Sequence, residues 1–455
     1  MTDNEANRLV SRVSRYARVG AGVGTSAVRI AGARFFGEGD LQKEGEILAA
    51  ALGNLKGPLM KVAQMLATIP DVVPAEWAAE LARLQANAPP MGRTFVRRRM
   101  TAELGPEWLS RFAQFDLEPA HAASLGQVHR ATSHAGDPLA VKLQYPDMAS
   151  AVEADLGQLG VIFSLMQRLR PQINTTKLRI EISERLREEL DYARELKHMR
   201  LYGQILGGDT TIRIPEALAE LSTGRLLTMS WLEGKGLLNY KSADQNIRDQ
   251  LAETMFRAWW KPFCQFGVIH GDPHLGNYAA FEVDGQVSGV NLLDFGCVRV
   301  FPASFVDGVI EHYKGLLHGD RDRVAAAYES WGFEGLSNEL IDTLDIWAKF
   351  LYGPLLVDRK RKIAEGVSPV EFGRKEAMRV AEGLSKHGSV TMPREFLFMD
   401  RAAVGLGAVF LHLDAELNFH RLFQDLIDGF TQDRLHAKQS AALTHAGLEP
   451  LQGTS

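Results

Sequence analysis

Val268-Ile-His-Gly-Asp-Pro-His-Leu-Gly-Asn277, followed closely by Val290-Asn-Leu-Leu-Asp-Phe-Gly296, is the part of the chain from which the fold can be read. The first stretch opens apolar, turns at Gly271 and Pro273, and carries His270, Asp272 and Asn277 on what reads as a loop. The second is an apolar strand that runs into Asp294-Phe295-Gly296. Alone, His-Gly-Asp-Pro would be an ordinary turn and Asp-Phe-Gly an ordinary strand end. In this order they collect hard oxygen donors, the kind magnesium prefers, beside a short acid held on a stiff loop.

A His-x-Asp with Asn five residues after the Asp, then Asp-Phe-Gly at a strand end, is the spacing of a protein-kinase catalytic loop and metal-binding loop. Phosphoryl transfer asks little covalent chemistry of a protein, but it needs charge neutralised on phosphate oxygens and an acceptor held in line. Asn277 and Asp294 are therefore the expected magnesium ligands, and Asp272 the acceptor-orienting base. Such a fold also needs an upstream lysine on a strand and a glutamate on a following helix. Leu139-Ala-Val-Lys142 fits the first: Leu139, Val141 and Leu143 alternate with Ala140, Lys142 and Gln144, as in a half-buried strand. With Ala123–Ala131 and the turn at 134–138 it reads as a β-hairpin.

Aligning the expected glycine-rich loop on Val128 puts His121, Ala123 and Gly126 at the glycine positions, so only the third glycine survives. Glycine lets backbone N–H groups approach phosphates, so Ala122, Ala123 and Ser124 should make a stiffer nucleotide cover. Residues 177–206 read as helix and carry Glu188, Glu189, Asp191 and Glu195, with Asp191 and Glu195 one turn apart. Arg185, Arg187 and Arg194 could pair with them as a solvated stripe. In a kinase context, one acid should instead clamp Lys142.

The rest of the chain supports a soluble or peripheral protein with a sizeable core. Its 455 residues are 45% hydrophobic and 24% charged, too apolar per charge for disorder. The net charge of -5 leaves no basic footprint for nucleic acid. Two cysteines, Cys264 and Cys297, are too few and wrongly spaced for a disulfide framework or structural zinc. The first residues lack an apolar signal-peptide core, and no window reaches the ~18 apolar residues a spanning helix needs. Residues 1–40 form a basic segment, with Arg8, Arg12, Arg15, Arg18, Arg29 and Arg34, that is either solvated or lies on an anionic membrane surface. Residues 41–90 read as an all-helical extension, with Pro58 opening the helix that carries Lys61 and Gln64. Arg225–Trp231 reads as a strand, and the chain beyond 245 as mainly helical apart from 268–298.

These motifs together resemble the UbiB/AarF family of atypical, protein-kinase-like ATPases, with the likeness running from about residue 40 to beyond 300. Lys61-Val-Ala-Gln64 is similar to the family's Lys-x-Gly-Gln motif, Ala122-Ala-Ser124 to its alanine-rich loop, Glu189-Leu-Asp191 to its Glu-x-Asp motif, and 270–277 to its catalytic loop. The resemblance implies an α+β, two-lobed protein-kinase-like fold with an all-helical N-terminal extension. The N-lobe would span 91–232, with inserted helices, and a mainly helical C-lobe 233–455. It implies Lys61 reaching Glu189 and Asp191, Gln64 near the nucleotide, and Glu195 paired with Lys142. Two positions depart from the pattern. Ala63 stands for the motif glycine and should stiffen its helix; Leu275 stands for a proline and should loosen the catalytic loop.

The function so implied is a magnesium-dependent protein that binds ATP or ADP, turns over ATP in support of ubiquinone or prenyl-lipid metabolism, and does not phosphorylate proteins. Expected ligands are the nucleotide, Mg2+ and a lipid or quinone precursor. The expected place is the cytoplasm, peripheral at the inner face of the membrane. Two other classes share parts of the pattern. A small-molecule phosphotransferase of the aminoglycoside or choline kinase sort has a similar loop but needs an open acceptor pocket. A nucleotide-gated scaffold would bind without turnover.

Overall fold

A computed structural model describes residues 91–123, 125–146, 148–150, 152–153, 156, 175–333, 335–364, 373–388, 390 and 393–451. The basic start, the helical extension expected over 41–90 with Lys61 and Gln64, and Ser124 lie outside the described residues. The fold is of the mixed α+β, kinase-like class expected from the sequence. The chain forms two compact units: the described residues up to Leu196 with Ala217–Trp231, and Lys197–Glu216 with the chain from Leu232 onward.

In the first unit, α1 (Arg93–Leu104) and a 3-10 turn (Trp108–Arg111) lead into an antiparallel sheet of order β1-β2-β3-β5. Its strands are β1 (Gln114–Ala123), β2 (Gly126–Thr132), β3 (Pro138–Gln144) and β5 (Leu226–Ser230); β4 (Ile212–Arg213) falls between the last two in sequence but belongs to the second unit. The hairpin is present as β2 and β3, closing at Gly136 with φ 92°. Leu139, Val141 and Leu143 enter one core with Trp108, Phe112, Val96 and Met100, which leaves Lys142 on the other face by the period of two. Gly126 is demanded by packing: a Cβ there would lie 2.1 Å from the Leu143 carbonyl oxygen. Strand β1 is an edge strand, bulged around Pro119, which an edge tolerates because it leaves that N–H side unpaired.

The helix expected over 177–206 is broken into α2 (Thr175–Glu188) and α3 (Tyr192–Leu206). Local capping overrides the continuous periodicity. The Asp191 carboxylate accepts from the Arg194 N–H at 3.0 Å, and the Gln144 side chain donates to the Leu190 carbonyl inside the break. Asp191 and Glu195 are therefore not stacked acids on one helix. One caps the helix and the other lies within it.

In the second unit, β4, β9 (Gln286–Leu292), β8 (Tyr278–Val283) and β6 (Lys235–Gly236) form one sheet, with β4 parallel to β9 and the rest antiparallel. A two-stranded sheet pairs β7 (Val268–His270) with β10 (Val298–Val300). The β8–β9 hairpin turns at Asp284-Gly285, with φ 52° and 77°, the left-handed pair that a tight hairpin turn needs. Helix α4 (Gln245–Phe266) ends at Gly267, whose φ of 62° lets its N–H return to the Phe263 carbonyl.

Helices α5 (Ala303–His318), α6 (Arg321–Ser330), α7 (Asn338–Tyr352), α8 (Arg374–His387), α9 (Arg394–Leu413), α10 (Phe419–Ile427) and α11 (Gln432–His445) complete the unit. An aromatic core joins Phe256 of α4 to Phe410 and Phe419, and Trp260 to Phe423. Helix α9 reaches the 268–277 loop: a Cβ at Gly405 would lie 2.0 Å from Pro273 Cγ, so only glycine allows the approach. Among the described residues, no helix is long and apolar enough to cross a membrane.

Asp400 on α9 is enclosed enough that burial pushes its carboxyl up to about 7, although Trp347 Nε1 donates to it at 3.1 Å. The folded chain holds this proton more tightly than the unfolded chain, in which an Asp titrates near ~3.9. The stabilisation is therefore complete below about pH 4 and is lost as pH rises towards 7. Melting curves at pH 5 and pH 8 should show Asp400→Asn losing less stability over that interval than the native protein. An equal loss in both would contradict the assignment.

Candidate active site

In the first unit, Lys142 on β3 donates from Nζ to both Glu195 oxygens, at 2.7 and 3.0 Å. The two side chains are 13% and 2% exposed, so each charge depends on the other for solvation that water no longer supplies. The Tyr192 ring lies 5.0 Å from Nζ and adds its negative face to the same cation. Glu195 is fixed by its place in the first turn of α3, where its N–H donates to the Asp191 carbonyl at 3.0 Å. Of the other acids, Glu188 pairs with Arg194 at 2.8 Å, Glu189 is half-buried, and Asp191 is exposed and caps α3. Ala122 and Ala123 end β1 opposite Gln127 and Gly126.

In the second unit, β7 delivers His270 into a nest of Tyr202, Trp259, Tyr278 and Phe295, leaving it 1% exposed. Its Nε2 donates to the Asp294 carbonyl at 2.5 Å and its Nδ1 accepts from the Asp272 N–H at 3.3 Å. Those two partners set the tautomer with the proton on Nε2. Gly271 follows, its N–H donating to the Cys297 carbonyl; a Cβ there would meet Cys297 Sγ at 2.7 Å. The residue between His270 and Asp272 must therefore be small.

Asn277 Nδ2 donates to Asp272 twice, to Oδ2 at 3.2 Å and to the carbonyl at 3.3 Å, and the Tyr278 hydroxyl donates to the same carbonyl at 3.1 Å. Leu293 N–H donates to the Asn277 carbonyl at 3.0 Å, so the β8–β9 pairing sets Asn277 beside the approach to Asp294. Asp294 Oδ1 accepts from the Gly296 N–H at 3.0 Å. The structure thus brings Asp272, Asn277 and Asp294 together in one unit, and Lys142 and Glu195 together in the other. Burial holds the Tyr278 hydroxyl well above its usual value, helped by the Asp272 charge, so it stays a donor at neutral pH.

The donor set fits magnesium. Asn277 turns its amide nitrogen to Asp272, which directs its oxygen elsewhere, and Asp294 contributes a carboxylate; both are hard oxygen ligands. Among the described residues, no cluster of three or more His, Cys, Asp or Glu side chains could hold a metal by itself.

Three contacts escaped the sequence. His198 Nδ1 bonds the Phe295 carbonyl at 3.1 Å, Tyr278 holds Asp272, and Gly405 admits Pro273. Tyr278 looks like the first apolar residue of a strand, and His198 and Gly405 are distant in sequence, so no local pattern marks them.

The Lys142–Glu195 pair can be weighed by a double-mutant cycle in urea. Glu195→Gln alone should cost about 2 kcal/mol, because it leaves a mostly buried ammonium beside a neutral amide. Lys142→Met with Glu195→Gln should cost less than the sum of the singles by about 1–3 kcal/mol. Strict additivity would show that the contact carries no coupling.

Residues 83–328 match the ABC1 atypical kinase-like domain. The mitochondrial atypical kinase COQ8B of Rattus norvegicus is 28% identical over 447 residues, covering 93% of this chain and 82% of that protein. The mitochondrial atypical kinase COQ8 of Saccharomyces cerevisiae is 30% identical over 278 residues, covering 61% of this chain and 54% of that protein. This chain thus spans most of the rat relative but about half of the yeast one. Among solved structures, Rv3197 of Mycobacterium tuberculosis, in a complex with erythromycin, matches with a TM-score of 0.58 and 25% identity, covering 83% of this chain and 94% of that one.

Proposed function

Since the chain belongs to the ABC1 atypical kinase-like family, within the UbiB/AarF group, we propose that it is a magnesium-dependent ATP-hydrolysing protein that serves ubiquinone or prenyl-lipid metabolism rather than phosphorylating proteins. The observation that carries the reading is the convergence of Asp272, Asn277 and Asp294 through His270 and the β8–β9 pairing. Lys142, oriented by Glu195, neutralises phosphate charge. Asp272 accepts the proton of the attacking water or lipid hydroxyl as its oxygen bonds to the γ-phosphorus and the bond to the bridging oxygen breaks. Asn277 and Asp294 hold magnesium, which, when bound, supplies the positive charge that offsets the phosphate oxygens.

The remaining assignments belong to the same proposal. Ala122, Ala123 and Ser124 cover the nucleotide, Gln64 approaches it, and Lys61 meets Glu189 and Asp191. The acceptor side then admits a lipid or quinone precursor and not a polypeptide. The protein works in the cytoplasm, at the inner face of a membrane, through peripheral contact.

Phosphate release from ATP, with and without magnesium and with liposomes carrying a quinone-like phenol, tests this reading. Native protein should turn over ATP, faster with lipid, and Asp294→Asn should lose at least about 100-fold. Normal turnover in Asp294→Asn would refute the metal assignment. Nucleotide binding without any turnover would leave a scaffold as the better reading, and transfer to a soluble alcohol or amine would favour a small-molecule phosphotransferase.

A further inference from the structure

We propose that Tyr278 is a positioning residue, acting through Asp272, that frees Asn277 to serve magnesium; the inference rests on the reading of Asn277 and Asp294 as the metal ligands. Asp272 carries two kinds of restraint from the start of β8. One is the Asn277 amide, whose single Nδ2 is divided between the Asp272 carboxylate at 3.2 Å and carbonyl at 3.3 Å. The other is the Tyr278 hydroxyl, directed at the carbonyl alone at 3.1 Å.

The two restraints differ in what else they must do. Any adjustment of the Asn277 amide that improves its oxygen as a ligand moves the nitrogen on the same planar group, and both long bonds to Asp272 weaken together. Tyr278 has no such conflict. Its ring is 2% exposed, lies tilted by 58° to His270 with centroids 6.0 Å apart, and sits in a strand held to Leu292. A phenol with two rotatable angles in a packed site keeps its hydroxyl in place at little further entropic cost. Asp272 is therefore gripped by a residue that never needs to leave it, and Asn277 can turn to the cation without releasing the base.

The adjacency is a consequence of strand geometry. Asn277 closes a 3-10 turn and Tyr278 begins β8, so consecutive side chains take different directions while both start beside Asp272. The Asp272 N–H is held separately by His270. Removing the Tyr278 hydroxyl should not unfold the loop; it should shift the share of the hold on the Asp272 carbonyl that Tyr278 carries onto Asn277.

Tyr278→Phe keeps the ring and deletes only the hydroxyl. Tyr240→Phe is the control, because Tyr240 donates to Glu282 at 2.9 Å, in the same unit and outside the proposed machinery. Both variants, without ligands, should melt within about 4 °C of the native protein. The decisive readout needs no turnover: thermal stabilisation by ADP, titrated with magnesium. The magnesium midpoint should weaken about 5-fold in Tyr278→Phe and stay unchanged in Tyr240→Phe. In phosphate release, Tyr278→Phe should lose about 5-fold to 10-fold in kcat with KM for ATP within about 2-fold.

An unchanged magnesium midpoint in Tyr278→Phe, beside a responsive native protein, would overturn the proposal alone. So would a ligand-free melting loss above about 10 °C, which would make Tyr278 a packing residue. A native protein that responds to magnesium and ADP but releases no phosphate would remove only the turnover reading. A native protein with no magnesium response would remove both.

Discussion

His270 occupies a site where neither ring nitrogen has a choice of partner: one donates to the Asp294 carbonyl, the other accepts from the Asp272 N–H, and the ring is walled in by Tyr202, Trp259, Tyr278 and Phe295. A buried polar ring with both nitrogens satisfied is costly to move, because any shift exposes an unmet donor or acceptor to an apolar wall. Asp272 and the strand end at Asp294 are thereby tied to one rigid group. The surrounding architecture accommodates that tie. Strand β10 closes on β7, Gly271 keeps the crossing narrow, and Gly289 lets the Thr211 carbonyl approach where a Cβ would stand at 1.9 Å.

The residues proposed for catalysis are stabilised by different physics in the two units. Lys142 and Glu195 are opposite charges, each desolvated, and their association offsets a cost that either would bear alone. Among the bonds that hold Asp272, its carbonyl accepts from the Asn277 amide and the Tyr278 phenol, its carboxylate accepts from the same amide, and its N–H donates to the His270 imidazole. That difference suits the proposed chemistry. A lysine that meets phosphates benefits from an anion that orients it and can share it. An aspartate that must face an acceptor benefits from bonds that fix its backbone as well as its carboxylate.

What the sequence disclosed follows from how local each signal is. The 268–277 and 290–296 stretches declare themselves because the loop spacing is contiguous, and Lys142 is readable because strand alternation sets it apart from Leu139, Val141 and Leu143. Strand β1 was hidden by Pro119 and the bulges around it, which disturb the period of two. The break between α2 and α3 was hidden because apolar periodicity continues through it, while the residues that enforce it, Gln144 and Asp191, act by hydrogen bonds. The Asp284-Gly285 turn between β8 and β9 is local, and its residue types are those of a tight hairpin. Tyr278, His198 and Gly405 matter through partners that the sequence does not place beside them.

Leu275 shows how the fold absorbs a departure that sequence reasoning treats as a loss. A proline there would restrict φ directly, so leucine should leave the catalytic loop looser. The loop is held instead by its own neighbour. His274 Nδ1 accepts from the Gly276 N–H at 3.1 Å, and the His274 carbonyl accepts from the Asn277 N–H at 2.9 Å, which closes a 3-10 turn over Leu275–Asn277. That turn aims the Asn277 side chain at Asp272, so the restraint falls on the residue whose direction matters most. The substitution thus exchanges a covalent restraint for one made by hydrogen bonds within the turn.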